Sequence, residues 1–468
     1  MKKDEFEDKE RKRVLDLVHR FEEMLVKGNQ YYFETEDLED IIDYYFEKNA
    51  PKKGLLVVDF ALKQYPFATV FLLRKAQLLA ANNQSQKALE VLSYVESVEP
   101  LNPEMFMTKG SIYSLMSLSD QAIENFKKAA EYSDDVEDIY LTIAMEYMNS
   151  NRAGDAIYYY KKVLAEHPDN EIAIYELAFC FDLNDQLEEC VKYYLAFVED
   201  HPYSASAWFN LGVTYNRLEK YEDAIKAYDY AILIHEEYSS AYFNKANSLA
   251  ALNRLDEAIE VYKETMAREE PDALTHYYMG ECYEKKHDYE AALRQYFKSI
   301  AIDSKYPDTQ AGIAVVLDAL GRPSDAVHYI KKAIDLEIEN PEYWHILGQI
   351  QKKLLFYEDA EHAFKKSIEL DSDDPQLWLD YADLLFEQEN KNGSLEILAE
   401  GIKNHPQNAA LQYRISACLM SIGQKQEALS FLHTALKLDY DKHSELFAYI
   451  PQLKDNTSIT DLIESYKK

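Results

Sequence analysis

The chain has 468 residues, 47% of them apolar or aromatic, with only 12 Gly and 13 Pro, and 50 basic against 84 acidic side chains give a formal charge of −34. That apolar content excludes wholesale disorder, and the length exceeds the roughly 250 to 300 residues that one compact core fills, so the chain either divides or repeats. The scarcity of Gly and Pro argues against a loop-rich sheet protein, and the negative charge would repel a phosphate backbone, so no nucleic acid is expected as a partner.

The first ten residues, MKKDEFEDKE, lack the apolar stretch of a secretory signal. No run reaches the roughly 18 apolar residues of a membrane span, and even GLLVVDFAL is cut by Asp59. The expectation is a cytoplasmic protein without membrane insertion, and four cysteines in so long a chain do not make a disulfide framework. Within residues 1–34, the stretch 8–28 reads as a charged amphipathic helix that covers the exposed flank of the helices beyond residue 34.

From residue 35 the chain repeats every 34 residues. The first copies are faint, with Tyr45, Ala61 and Pro66, then Ala76, Ala88 and Pro100. Gly110, Tyr113, Ala122, Phe126 and Ala129 come next, followed by Ala144, Tyr147, Ala156, Tyr160 and Pro168, and by Leu177, Ala178, Phe181, Tyr194 and Pro202. The fullest copy is Trp208, Leu211, Gly212, Tyr215, Ala224, Tyr228 and Ala231. It returns as Tyr242, Ala246, Leu249, Ala258 and Tyr262, as Gly280, Tyr283, Ala292 and Tyr296, as Trp344, Leu347, Gly348, Ala360 and Phe364, and as Trp378, Tyr381 and Ala382. Twelve registers start at 35, 69, 103, 137, 171, 205, 239, 273, 307, 341, 375 and 409 and fill residues 35–442 with no insertion. Residues 443–468 carry a short apolar segment, LFAYI, a break at Pro451 and a last helix from near Ser458, which together read as a second cap.

The spacing has a physical meaning. In the first half of each copy the marked residues fall at i, i+3, i+4 and i+7, one face of a helix; in the second half Ala224, Tyr228 and Ala231 fall at i, i+4 and i+7, one face of another. Gly inside a helix costs about 1 kcal/mol relative to Ala, so its return at 110, 212, 280 and 348 argues for closely packed backbones. Proline costs about 3 kcal/mol inside a helix, and none interrupts this pattern. Pro66, Pro100, Pro168, Pro202, Pro271 and Pro406 follow the second helix, and Pro103, Pro307, Pro341 and Pro375 begin a first helix. Pro51 and Pro323 are expected in the turn inside a repeat, and Pro451 lies beyond the last one.

The recurring large, small and aromatic residues, with Ala in the second half and Pro at the end, resemble the tetratricopeptide repeat (TPR) family over residues 35–442. The resemblance implies an all-α, right-handed superhelical solenoid of about twelve helix-turn-helix repeats with N- and C-terminal capping helices. It also implies that the first helices line a concave groove, into which the residue one place after the Trp-type position points. That place holds Leu141, Tyr175, Phe209, Phe243 and Tyr277; four residues on stand Met145, Phe179, Val213, Asn247 and Glu281, with Met148 and Asn216 a turn further. Such an apolar stripe is either a binding groove for a peptide or packing inside a tightly wound superhelix. Asn210 and Asn244 resemble two rungs of the asparagine ladder with which some helical-repeat proteins hold a ligand backbone. TPR co-chaperones that grip an acidic tail carry Lys at the Tyr175-type place, and no repeat here does, although Asn247 matches their Asn.

No constellation for chemistry emerges. Cys180, Cys282 and Cys418 occupy one place in three repeats and Cys190 replaces a second-helix Ala, so all four read as small buried side chains rather than metal or redox groups. The twelve histidines form no metal-binding motif, and His167, His201 and His405 simply precede a proline. Phosphate loops and nucleophile elbows are absent, so neither catalysis nor a cofactor is expected. The reading is a non-catalytic scaffold or adaptor that binds a protein or peptide partner in the groove. Its alternatives are a structural component that self-associates through its end repeats and a regulatory subunit of a larger enzyme complex. The sequence sets neither the partner's identity nor the oligomeric state.

Overall fold

The structure, a computed structural model, describes residues 2–27, 31–270 and 272–467. The Gly28 end of the expected N-terminal helix and the inter-repeat Pro271 lie outside the described residues. Among the described residues every regular element is helical. The chain forms two compact units, Met1–Glu236 and Glu237–Lys468.

In the first unit α1 (Lys2–Lys27) precedes six helix pairs: α2 (Thr35–Glu47) and α3 (Pro51–Gln64), α4 (Thr69–Ala81) and α5 (Ser85–Val98), α6 (Pro103–Leu115) and α7 (Ser119–Tyr132), α8 (Glu137–Asn149) and α9 (Ala153–Glu166), α10 (Glu171–Leu183) and α11 (Leu187–Asp200), α12 (Ala205–Arg217) and α13 (Tyr221–Ile234). The second unit holds α14 (Ser239–Ala251) and α15 (Leu255–Arg268), α16 (Ala273–Lys285) and α17 (Tyr289–Ile302), α18 (Pro307–Ala319) and α19 (Pro323–Leu336), α20 (Pro341–Lys353) and α21 (Tyr357–Leu370), α22 (Pro375–Glu387) and α23 (Lys391–Asn404), α24 (Ala409–Ser421) and α25 (Lys425–Leu438). A short α26 (Ser444–Tyr449), a 3-10 turn (Pro451–Asp455) and α27 (Thr457–Glu464) end the chain.

Two devices at the helix ends explain why the pairs keep one length. Between the two helices of every pair, one residue takes positive φ, at 49, 83, 117, 151, 185, 219, 253, 287, 321, 355, 389 and 423. The next residue's N–H then bonds a carbonyl five residues back, as Arg152 does to Tyr147 and Phe356 to Gln351, both at 2.9 Å, which closes a Schellman turn and stops the helix. At the other end, side chains of Asn102, Asn170, Ser204, Asp272, Asn340, Asp374 and Asn408 accept from backbone N–H groups of the next first helix. Pro51 and Pro323 do not sit in the turn itself; each is the first residue of a second helix, where its missing N–H costs nothing.

Packing inside each pair follows the small and aromatic residues. Tyr160, Tyr194, Tyr228, Tyr262 and Tyr296 are fully buried at one recurring second-helix position, and each contributes on the order of 2 kcal/mol of burial. Opposite them the first helices carry Gly or Ala. A Cβ added to Gly212 would stand 2.5 Å from Tyr228, and one on Gly348 would stand 2.8 Å from Phe364. Where the fourth residue of the first helix is Trp, its indole N–H closes the preceding connection, Trp208 donating to Pro202 O at 3.0 Å, Trp344 to Ile338 O at 2.9 Å and Trp378 to Ser372 O at 3.1 Å. The ends are covered as well: α1 lays Leu17, Val18, Phe21 and Met24 on Leu38 and Ile41, and α27 inserts Ile459 and Ile463 against Leu432 and Leu436.

Candidate functional site

On α8, α10 and α12 of the first unit the first-helix face is apolar, and α10 shows it most fully. Ile172, Tyr175, Phe179 and Leu183 are spaced 3, 4 and 4 residues apart, so they share a sector of about 80° on the helix. All four are exposed, from 38% at Tyr175 to 58% at Ile172 and Leu183. On α8, Met145 is exposed while Leu141 and Met148 are half-buried against the core. On α12, Phe209 is half-buried, its ring 6.2 Å from Tyr175 and 5.9 Å from Tyr228, with Val213 half-buried one turn on. The repeat pattern points to Tyr175 and Phe179 but not to Ile172 or Leu183, although all four share one helical spacing.

The asparagines divide. Asn210 is only 5% exposed, and its amide donates to Ser206 O at 2.8 Å within its own helix, so burial removes it from the surface that a ligand meets. Asn216 donates to the hydroxyl of Tyr228 at 3.0 Å and thereby holds a core tyrosine.

The second unit places Phe243, Asn244, Asn247 and Tyr277. Phe243 and Asn244 line a cleft of about 260 Å³ between α14 and α16, and Asn244 bonds Ser240 O at 2.9 Å. Asn247 accepts from the hydroxyl of Tyr262, the reverse of the bond in the first unit, where Asn216 donates to Tyr228. Tyr277 lies 5.2 Å from Tyr278 and 5.1 Å from Tyr306, ring to ring. Burial pushes the Glu281 carboxyl above the ordinary range, against the opposing charge of Lys285.

Further along the same face the side chains become polar and paired. Asp380 accepts from His345 at 2.7 Å, from Gln349 at 2.9 Å and from Gln376 at 2.8 Å. Burial alone would raise Asp380, but these bonds outweigh it and hold it low. On the last first helices, Arg414 pairs with Asp383 at 3.3 Å and lies 4.4 Å from the ring of Tyr449, which itself sits 4.3 Å from Phe386. The chain's own C-terminal segment is therefore seated on α22 and α24.

The cysteines are buried and separate. Burial pushes Cys180 up to about 12 and Cys190 and Cys282 up to about 11, far from a reactive thiolate. Among the described residues no group of three or more His, Cys, Asp or Glu side chains is placed to hold a metal ion, and no helix is long and apolar enough to cross a membrane.

Four tetratricopeptide repeat family models match the chain, at residues 103–135, 205–238, 243–307 and 357–410. No curated protein matches. Among solved structures the chain is similar to the APC/C hetero-tetramer Cut9–Hcn1, at 16% identity over 85% of this chain and 91% of that one, with a TM-score of 0.44. A tetratricopeptide repeat protein from Parabacteroides merdae matches at 14% identity over 53% of this chain and 98% of its own, TM-score 0.43. YrrB, described as a TPR protein with an unusual peptide-binding site, matches at 24% identity over 39% of this chain and 94% of its own, TM-score 0.33.

Proposed function

Since the chain is a tetratricopeptide repeat protein, we propose that it is a non-catalytic scaffold whose first-helix face binds a peptide segment of a partner protein. The observation that carries this reading is the apolar sector of α10, where Ile172, Tyr175, Phe179 and Leu183 all stand exposed on one side of one helix. Core helices bury such a sector, and soluble surfaces seldom align four large apolar side chains without a partner for them. Tyr175 and Phe209 extend it onto α12, and Met145 extends it onto α8.

The polar groups along the face support binding rather than reaction. They are hydrogen-bonded to one another, to core tyrosines or to backbone carbonyls of their own helix, and none of the described side chains named above sets a nucleophile beside a base. Four buried, separate thiols suit a reducing compartment such as the cytoplasm.

The test is affinity purification of the tagged chain from its native cells, run beside Phe179→Glu/Leu183→Glu. Both positions are exposed, so helix content by circular dichroism should be unchanged; Phe209 serves less well because it packs between Tyr175 and Tyr228. Losing two apolar anchors costs about 2 to 4 kcal/mol of binding, enough to remove a micromolar partner. Identical partners recovered with both proteins would place binding elsewhere.

A further inference from the structure

The first-helix face of the second unit has a chemistry that the α10 sector lacks. On α14, on α16 and at the residue before α18, the rings of Phe243, Tyr278, Tyr277 and Tyr306 follow one another at centroid distances of 5.7, 5.2 and 5.1 Å. All four are half-buried, so each keeps part of its surface open to solvent. At one end Phe243 enters the cleft between α14 and α16, whose wall includes Asn244 and Thr275 and whose rim carries Glu269, Glu270 and Asp272.

Carboxylates border these rings. Burial first, and then the charges of Glu281 and Asp308, hold the hydroxyls of Tyr277 and Tyr306 well above the ordinary range, and Asp308 accepts from the Tyr343 hydroxyl at 2.5 Å. Burial first, and then the like charges of Asp308 and Glu342, push Glu281 up; Lys285 is the cation that opposes them. Glu284, which accepts from Tyr296 at 2.7 Å, is raised in the same way by burial and by Glu281. Two kinds of negative potential thus meet on one surface, the faces of the aromatic rings and the crowded carboxylates.

We propose that this aromatic face of α14, α16 and α18 binds a basic segment of a partner protein, with an arginine or lysine side chain against Tyr277, Tyr278 and Tyr306 and its charge on Glu281 and Asp308. The proposal rests on the reading that the first helices bind peptide, and it names the chemistry of the occupant in this unit. Arginine fits best, because a planar guanidinium stacks on a ring and bonds a carboxylate at its edge at once. A neutral apolar peptide would bury Glu281 and Asp308 with no charge to compensate them. A second copy of this chain, at a net charge of −34, brings acid to acid.

The experiment pans a phage-displayed library of random dodecapeptides on the full chain, on Glu281→Gln/Asp308→Asn and on Tyr278→Ala, each checked for helix content. The most enriched sequence is then synthesised with fluorescein and titrated by anisotropy. The expected result is enrichment of Arg and Lys, with affinity reduced roughly tenfold or more by the double carboxamide variant and again by raising salt from about 100 to about 400 mM. Neutral or acidic peptides that need Tyr278 but ignore Glu281 and Asp308 would overturn the basic assignment while leaving peptide binding by the first helices intact. Enrichment of no peptide that depends on Tyr278 or on the carboxylates would overturn both for this unit.

Discussion

The ring of Tyr449 lies 4.3 Å from that of Phe386, centroid to centroid, and 4.4 Å from the guanidinium of Arg414. This contact joins the end of the chain to the first helices α22 and α24. Aromatic and cation–π contacts of this kind are together worth about 2 kcal/mol. Tyr449→Ala should therefore raise amide exchange across residues 444–455 by roughly thirtyfold and leave α10 and α12 unaffected. Unchanged exchange in that segment would show that Leu446 alone holds it.

Leu355 occupies the left-handed turn of its pair at φ 62°, where the equivalent residues at 321 and 423 are glycines. A residue with a Cβ pays about 1 kcal/mol for that conformation, and Leu355 is 67% exposed, so little packing offsets it. Leu355→Gly should raise the stability of the second unit by about 1 kcal/mol, read as a higher urea midpoint. A lower midpoint would mean that the leucine side chain contributes more than its backbone costs.

Burial, then the nearby charges of Asp380 and Glu387, push Asp383 up to about 6, against the opposing pull of Arg414 and Lys352. The folded chain thus holds this proton more tightly than the unfolded chain, in which Asp titrates near pH 4. Its contribution to stability is complete below about pH 4, is lost as pH rises through 6, and amounts to about 3 kcal/mol. The stability difference between the parent and Asp383→Asn, measured by urea unfolding from pH 4 to 7, should change by that amount across the window. A constant difference would contradict it.

The four thiols should resist a disulfide reagent such as DTNB at pH 8 while the chain is folded, and all four should react once it is unfolded. Burial raises every one of them, so the thiolate fraction at that pH falls roughly a hundredfold for Cys190 and Cys282. Fast reaction of one equivalent in the native protein would single out a thiol that the packing does not protect.

The fold was legible because its requirements fall on few residue types: Gly212 must be small for Tyr228 to lie where it does, and the place of Ala224 holds Ala, Gly, Ser or Cys at every 34-residue step. The left-handed turn position was not legible, since Asn, Ser, Asp, Glu, His, Leu and Gly all occupy it and its demand is on the backbone alone. Within the candidate site, Tyr175 and Phe179 stand out as aromatics in register, while nothing in the sequence separates the exposed Ile172 and Leu183 from apolar residues of the core. Asn210 looked like a ladder rung because spacing alone does not distinguish an amide at the surface from one turned back on its own helix. Tyr449 lies outside the repeat, and no periodicity points to its seat on Phe386.

The central claim, that a partner lies on the first-helix face of the first unit, is tested most directly by photo-crosslinking in native cells. Phe179→p-benzoylphenylalanine places the reactive group on α10, and Tyr158→p-benzoylphenylalanine places it on the exposed side of second helix α9. The account predicts a crosslinked partner from position 179 that is absent from position 158 and disappears when Leu183→Glu is added. Crosslinking to the same protein from 158 alone, or equally from both positions, would contradict it.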